Sequence, residues 1–210
     1  MRKLLVLMGV SLLGTGIPSA QENGDPTTIL ARAVSLSQIC PNTTEKVDLD
    51  NQDNEKRADH DRDQGEAVNK LSLAILFKPG RFELSYGEMV TAHDGRRALV
   101  IRFSAKPEKD HLRIASGEDK RFNWGMNRMS GFVKIDEATG GIIRIEGETP
   151  GNQEFRKWIK LAELHTLKFS LKQKLIGDRW MPESSLITLH VSKRILADQH
   201  SRYITRYHCQ

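Results

Sequence analysis

The feature that most constrains this chain is an alternation of apolar and polar residues with period two, recurring between turn signals along its C-terminal two-thirds. Leu167, Phe169 and Leu171 alternate with Lys168, Ser170 and Lys172. Successive side chains of a strand point to opposite faces, so this pattern describes a strand buried on one side and wet on the other. Phe82, Leu84 and Tyr86 read the same way, as do Leu99, Ile101 and Phe103 in RRALVIRFS, and Ile187, Leu189 and Val191 in WMPESSLITLHVS. Turn chemistry separates the runs at Ala92-His93-Asp94-Gly95, at Glu137-Ala138-Thr139-Gly140-Gly141 between GFVKID and IIRIEGE, and at Ile176-Gly177-Asp178-Arg179. Residues 154–163 (EFRKWIKLAE) fit a helical turn or another edge strand, and RYITRYHC closes the chain. About seven or eight antiparallel strands joined by hairpins are expected, with neither an internal repeat nor a βαβ alternation.

Helical signals are short. Asp25-Pro26 before TTILARAVSLSQ starts a helix, with Asp25 as cap, Pro26 at the first helical position and Ile29, Leu30, Ala33 and Leu36 on one face. Cys40-Pro41 ends it. A second apolar stretch, AVNKLSLAILF, stops at Lys78-Pro79-Gly80, and RFNWGMNRM forms a short helix or an irregular lip. A one-sided sheet must cover its apolar face. The expected architecture is mainly β (α+β): a curved antiparallel sheet or half-barrel wrapped around two or three short helices, at 26–39, 67–77 and 121–129. At 210 residues the chain can bury a core without a metal or a dense disulfide framework.

The domain organisation follows from composition. Residues 1–20 have the form of a signal peptide: Arg2 and Lys3, an apolar run from Leu4 to Leu13, and Pro18-Ser19-Ala20 before Gln21. The apolar run is too short for a hydrocarbon core of about 30 Å. No cysteine follows it, which argues against a lipid-anchored lipoprotein. A periplasmic or secreted protein is expected. Residues 21–40 hold the N-terminal helix. Residues 41–66 carry nine acidic and four basic residues, with only Val47, Leu49 and Ala58 apolar, and read as an acidic, partly disordered linker with weak edge strands as an option. Residues 67–210 form the β domain, with 25 basic and 16 acidic residues. That basic surface is solvated, is covered by the acidic linker, or meets an anionic membrane surface.

Chemical motifs are sparse. The acidic run Asp59-His60-Asp61-Arg62-Asp63-Gln64-Gly65-Glu66 fails as an EF-hand, because Gln64 and Lys70 stand where Gly and Glu are needed. The seven histidines show neither H-x-x-x-H nor H-E-x-x-H spacing, and a meeting of His165, His190 and His208 across strands would be a matter of chance. No nucleophile elbow, P-loop or dinucleotide fingerprint is present. No cofactor, no metal and no catalytic residue is assigned, and a nucleic-acid partner is not expected. Cys40 and Cys209 are candidates for a disulfide in an oxidising compartment, or are two unpaired thiols. Phe122, Trp124, Met126, Met129, Trp158 and Trp180 are candidate ligand-binding residues, because aromatic and flexible side chains suit lipid tails at the rim of an apolar opening.

The order of elements, with GRRALVIRF, NRMSGFVKIDEATGGIIRIEG and LIGDRWMPESSLITL, resembles uncharacterised bacterial envelope proteins related to the LolA/LolB lipoprotein-sorting superfamily over residues 81–208. The pieces that carry the resemblance are the hairpin G-x-hydrophobic-x-I-D…G-x-I-x-R-I at 131–145 and the strand entry D-R-W-M-P-x-S at 178–184. It implies a curved sheet around helices with an apolar cavity for acyl chains, hence a non-enzymatic protein that binds a lipid or a lipidated polypeptide. The alternative is a structural or protein-interaction module of the cell envelope with a fully packed interior.

Overall fold

A computed structural model describes residues 24–37, 43–48, 73–92, 94–106, 125–156, 160–193 and 199–209, with backbone alone at 43–48, 155–156, 160–162, 193 and 199. In chain order the elements are α1 (Pro26–Leu36), β1 (Thr43–Asp48), α2 (Leu73–Leu76), β2 (Phe82–Thr91), β3 (Arg97–Ala105), β4 (Ser130–Asp136), β5 (Ile142–Glu148), β6 (Gln153–Arg156), β7 (Lys160–Ile176), β8 (Arg179–Lys193) and β9 (Gln199–Tyr207). The nine strands make one open antiparallel sheet in the order β1-β9-β8-β7-β5-β4-β3-β2, with β6 paired to β7 off this path. The protein is therefore mainly β, with two short helices among the described residues.

Local turn chemistry builds most of this order. β7 and β8 pair from Ala162↔Lys193 to Ile176↔Arg179 around a two-residue turn. Gly177 takes φ +63° there, a value that suits the first turn position of a tight hairpin and that glycine adopts without penalty. At the β2–β3 turn, the amide of Gly95 donates to Ala92 O at 2.9 Å. β1 is the exception. It lies within the stretch read as mostly linker, yet it crosses the sequence to pair with β9, from Thr43↔Tyr207 to Asp48↔Tyr203.

Register explains the two faces. Val133, Ile145, Leu171, Ser185 and Thr205 align across β4, β5, β7, β8 and β9 and are buried. Their neighbours Lys134, Arg144, Lys172, Ser184 and Arg206 align on the opposite, outer face. A one-residue shift in the β4–β5 ladder, between Lys134 and Ile135, lets both Ile142 and Ile145 reach the inner core although they are three residues apart.

Several expectations need correction. Asp25 makes no side-chain cap; its carbonyl instead accepts from Thr28 N at 2.9 Å and Ile29 N at 3.1 Å. α1 ends at Leu36 because Ser37 turns extended to bridge to Trp180. Leu30 and Ala33 are buried, whereas Leu36 is exposed. Of 67–77, the described helix is the single turn Leu73–Leu76, and of 121–129 the described part is one turn after Gly125. Of 154–163, residues 154–156 and 160–163 are strand, the edge alternative of the two read from the sequence. Tyr86 keeps the register of Phe82 and Leu84 opposite Ile101, but β2 is an edge strand and the ring is 48% exposed. Its hydroxyl donates to the carbonyl of Gly24, tying the approach to α1 to the sheet edge.

Candidate functional site

The inner face holds the larger of two clusters of apolar side chains among the described residues. Phe77, Phe82 and Phe103 form an edge-packed aromatic group with centroid separations of 6.0, 5.4 and 4.9 Å, joining α2 to β2 and β3. From there the buried surface runs through Val133, Ile145, Leu167 and Phe169 to Ile187 on β8. The turn after Gly125 closes over it. Arg128 N donates to Gly125 O at 3.1 Å and Met129 N to Met126 O at 3.2 Å. Met126 and Met129 are 1% and 0% exposed and belong to this core. Met129 Sδ would lie 2.5 Å from a Cβ on Gly147, and a Cβ on Gly125 would meet Leu167 Cδ2 at 3.0 Å, so glycine backbone lets the turn settle onto β5 and β7. Leu189 and Val191 extend the same surface along β8 but are only partly buried.

Toward β9 the inner face changes character. Ser185, Ser201 and Thr205 are buried in positions that hold Leu, Ile or Val on the other strands. Ser185 Oγ and Tyr207 Oη lie 3.2 Å apart. The inner face thus grades from apolar on β2–β7 to hydroxyl-bearing on β9. The alternation of Tyr203, Thr205 and Tyr207 with Arg202 and Arg206 carries this in the sequence, but small hydroxyl residues do not announce burial.

Trp180 lies elsewhere. It packs in a second, smaller cluster with Ala98 and Ile143. Its Nε1–H donates to Thr139 Oγ1 at 3.0 Å, and the Arg96 guanidinium sits 5.0 Å above its ring. Thr139 in turn donates through its amide and its hydroxyl to Asp136 Oδ1, each at 2.8 Å. Asp136 is 1% exposed and lies 3.5 Å from Arg96. The hydrogen bond from Arg96, which also pairs with Asp94 in the same turn, holds the Asp94 carboxyl below its ordinary 3.8, and Asp94 raises the Arg96 guanidinium in return. A cation over an indole and a fully used carboxylate make a structural clasp.

The predicted ligand residues are therefore divided. Met126 and Met129 share the inner core, and Trp180 belongs to the clasp. Phe122, Trp124 and Trp158 lie outside the described residues, as does Cys40. Cys209 is disulfide-bonded, and its Sγ rests 3.5 Å from Pro182 O.

The histidines assemble differently from the expectation. His165, His190 and His200 form a row across β7, β8 and β9, with ring centroids 4.5 and 3.7 Å apart. His200 takes the place expected for His208, because it stands directly opposite His190 in the β8–β9 ladder. His165 Nδ1 lies 3.0 Å from Asn152 Oδ1 and Nε2 2.8 Å from Ser192 Oγ. His190 and His200 stack while His165 is tilted against His190, and among the described residues no group of three His, Cys, Asp or Glu could hold a metal ion. No helix among the described residues is long and apolar enough to cross a membrane.

No family model matches the chain, and neither a curated protein nor a solved structure matches it.

Proposed function

We propose that this is an exported, non-enzymatic protein of the bacterial cell envelope that binds a lipid or a lipidated polypeptide on the inner face of its sheet, curved into a half-barrel around its short helices. The observation that carries the reading is the gradient along that face: a continuous apolar surface from Phe82 to Ile187, half-buried Leu189 and Val191 at its margin, then hydroxyls on Ser185, Ser201 and Thr205. An amphiphile has the same two ends. Acyl chain against Leu189 and Val191 would bury apolar area at about 25 cal/mol per Å², while a headgroup finds donors and acceptors toward β9. Met126 and Met129 above β5 and β7 are unbranched, so they can re-pack around a tail at little cost. The resemblance to lipoprotein-sorting proteins points the same way.

The second reading, an envelope interaction module with a filled interior, is favoured by the near-complete burial of Met126 and Met129. Native purification followed by lipid mass spectrometry separates the two. A co-purifying amphiphile, displaced by a fluorescent fatty acid, is the expected result. Neither a bound amphiphile nor a response to the probe would leave the interaction module.

A further inference from the structure

The outer face of the sheet carries an arrangement that folding alone does not favour. Lys134 stands directly opposite Arg144 on β5, and Arg144 directly opposite Lys172 on β7. Ser184 separates this row from Arg206 on β9. Like charges directly opposite on neighbouring strands repel and destabilise a sheet. Two of the cations are partly offset, since Arg144 Nε lies 2.5 Å from Glu146 Oε1 and Lys172 Nζ 2.7 Å from Glu183 Oε2. The Lys134 ammonium sits over the Phe132 ring at 5.4 Å.

Four residues along the strands, a further row places Lys168 opposite Glu148, with which it pairs at 3.2 Å, and Arg202 opposite Thr188. Between these rows lies a third, in which half-buried Phe132, Leu186 and Ile204 share the row with Glu146 and Ser170. Strands are about 4.8 Å apart, so the rows from β4 to β9 span roughly 19 Å. The result is a broad outward surface with apolar side chains among six cations, three of them paired with Glu146, Glu148 and Glu183.

We infer that this outer face docks on a membrane surface bearing anionic phospholipid headgroups. Phosphates between the strands relieve the opposed cations, and each Lys or Arg near such a surface gains from its negative potential. The apolar row chooses between anionic partners: Phe132, Leu186 and Ile204 can enter the boundary between headgroups and acyl chains, whereas a soluble polyanion offers them nothing. The inference does not rest on the inner face taking an acyl chain, because its residues point away from that face.

The test is sedimentation of the full chain with phosphatidylcholine vesicles, with and without phosphatidylglycerol, across a salt series. Arg2, Lys3 and the apolar run 4–13 are common to the parent and its variants, so the reading is the gain on anionic vesicles that the variants lose. That gain is expected to fall with salt. Replacing Lys134→Gln, Arg144→Gln and Lys172→Gln together is expected to weaken partitioning about a hundredfold, and Lys134→Gln alone about fivefold, while leaving fatty-acid probe binding unchanged. The single variant decides the matter if the triple one does not fold. Relief of opposed charges predicts a melting temperature no lower than the parent's. Equal binding to both vesicle types, variants that sediment like the parent, or retention on heparin without any gain on anionic vesicles would each overturn the inference.

Discussion

The indole of Trp180 lies so close to the backbone of Gly141 that a Cβ added there would sit 2.0 Å from its Cδ1 and Nε1. This contact joins the 131–145 hairpin to the 178–184 strand entry, which are distant in sequence. The clasp of Arg96, Asp136 and Thr139 around the same ring fixes the ends of β3, β4, β5 and β8 relative to one another. Replacing Gly141→Ala must displace the indole. A cost of about 1–3 kcal/mol is expected from overpacking, read as a melting temperature several degrees lower; an unchanged melt would mean the ring moves freely.

The Asp94–Arg96 pair gives a signed acid response. The folded-state carboxyl is held below 3.8, so its contribution is complete above the ordinary carboxylate range and is lost as pH falls through the depressed value. Asp94→Asn should therefore be less stable than the parent above about pH 5, with the difference closing below about pH 4 and shrinking in high salt. A pH-independent difference would assign the loss to the turn rather than to the charge.

Met129 and Leu189 separate interior packing from ligand capture. Met129→Ala is expected to cost about 2–5 kcal/mol in denaturant unfolding, part of it regained on adding fatty acid. Leu189→Asn, at a half-buried margin, should cost less and weaken the fluorescent fatty acid about tenfold. Loss of stability in both variants without any change in probe binding would favour the filled interior.

Cys209 is disulfide-bonded, and the only other cysteine of the chain is Cys40. A Cys40–Cys209 bridge would close a loop of about 170 residues and remove unfolded-state entropy worth about 5 kcal/mol. Reduction should therefore lower the unfolding midpoint, and Cys40→Ser and Cys209→Ser should each match the reduced parent. A disulfide-linked dimer on a non-reducing gel would instead place the bond between chains.

How much was legible depended on range. The alternation in 167–171 and in RRALVIRFS, and the Gly-containing turns at 95, 140 and 177, describe hairpins whose partners are neighbours in sequence, and these strands pair as read. Tyr86 was misleading because alternation reports which way a side chain points and not whether anything covers it. β1 was nearly invisible because its pairing with β9 spans most of the chain and its own composition is acidic. Trp180 was legible as a large aromatic group but not as part of a clasp, since Arg96, Asp136 and Thr139 reach it from other turns.

A mainly β, hairpin-built sheet with one apolar face is written into the residues alone, because strand periodicity and turn residues act over a few positions. The tertiary structure decided what each face is made of. Which hydroxyls line the inner margin, which cations stand opposed on the outer face and which three histidines form a row are matters of register between strands. Register is set by pairing and bulges acting together, and no single segment contains it.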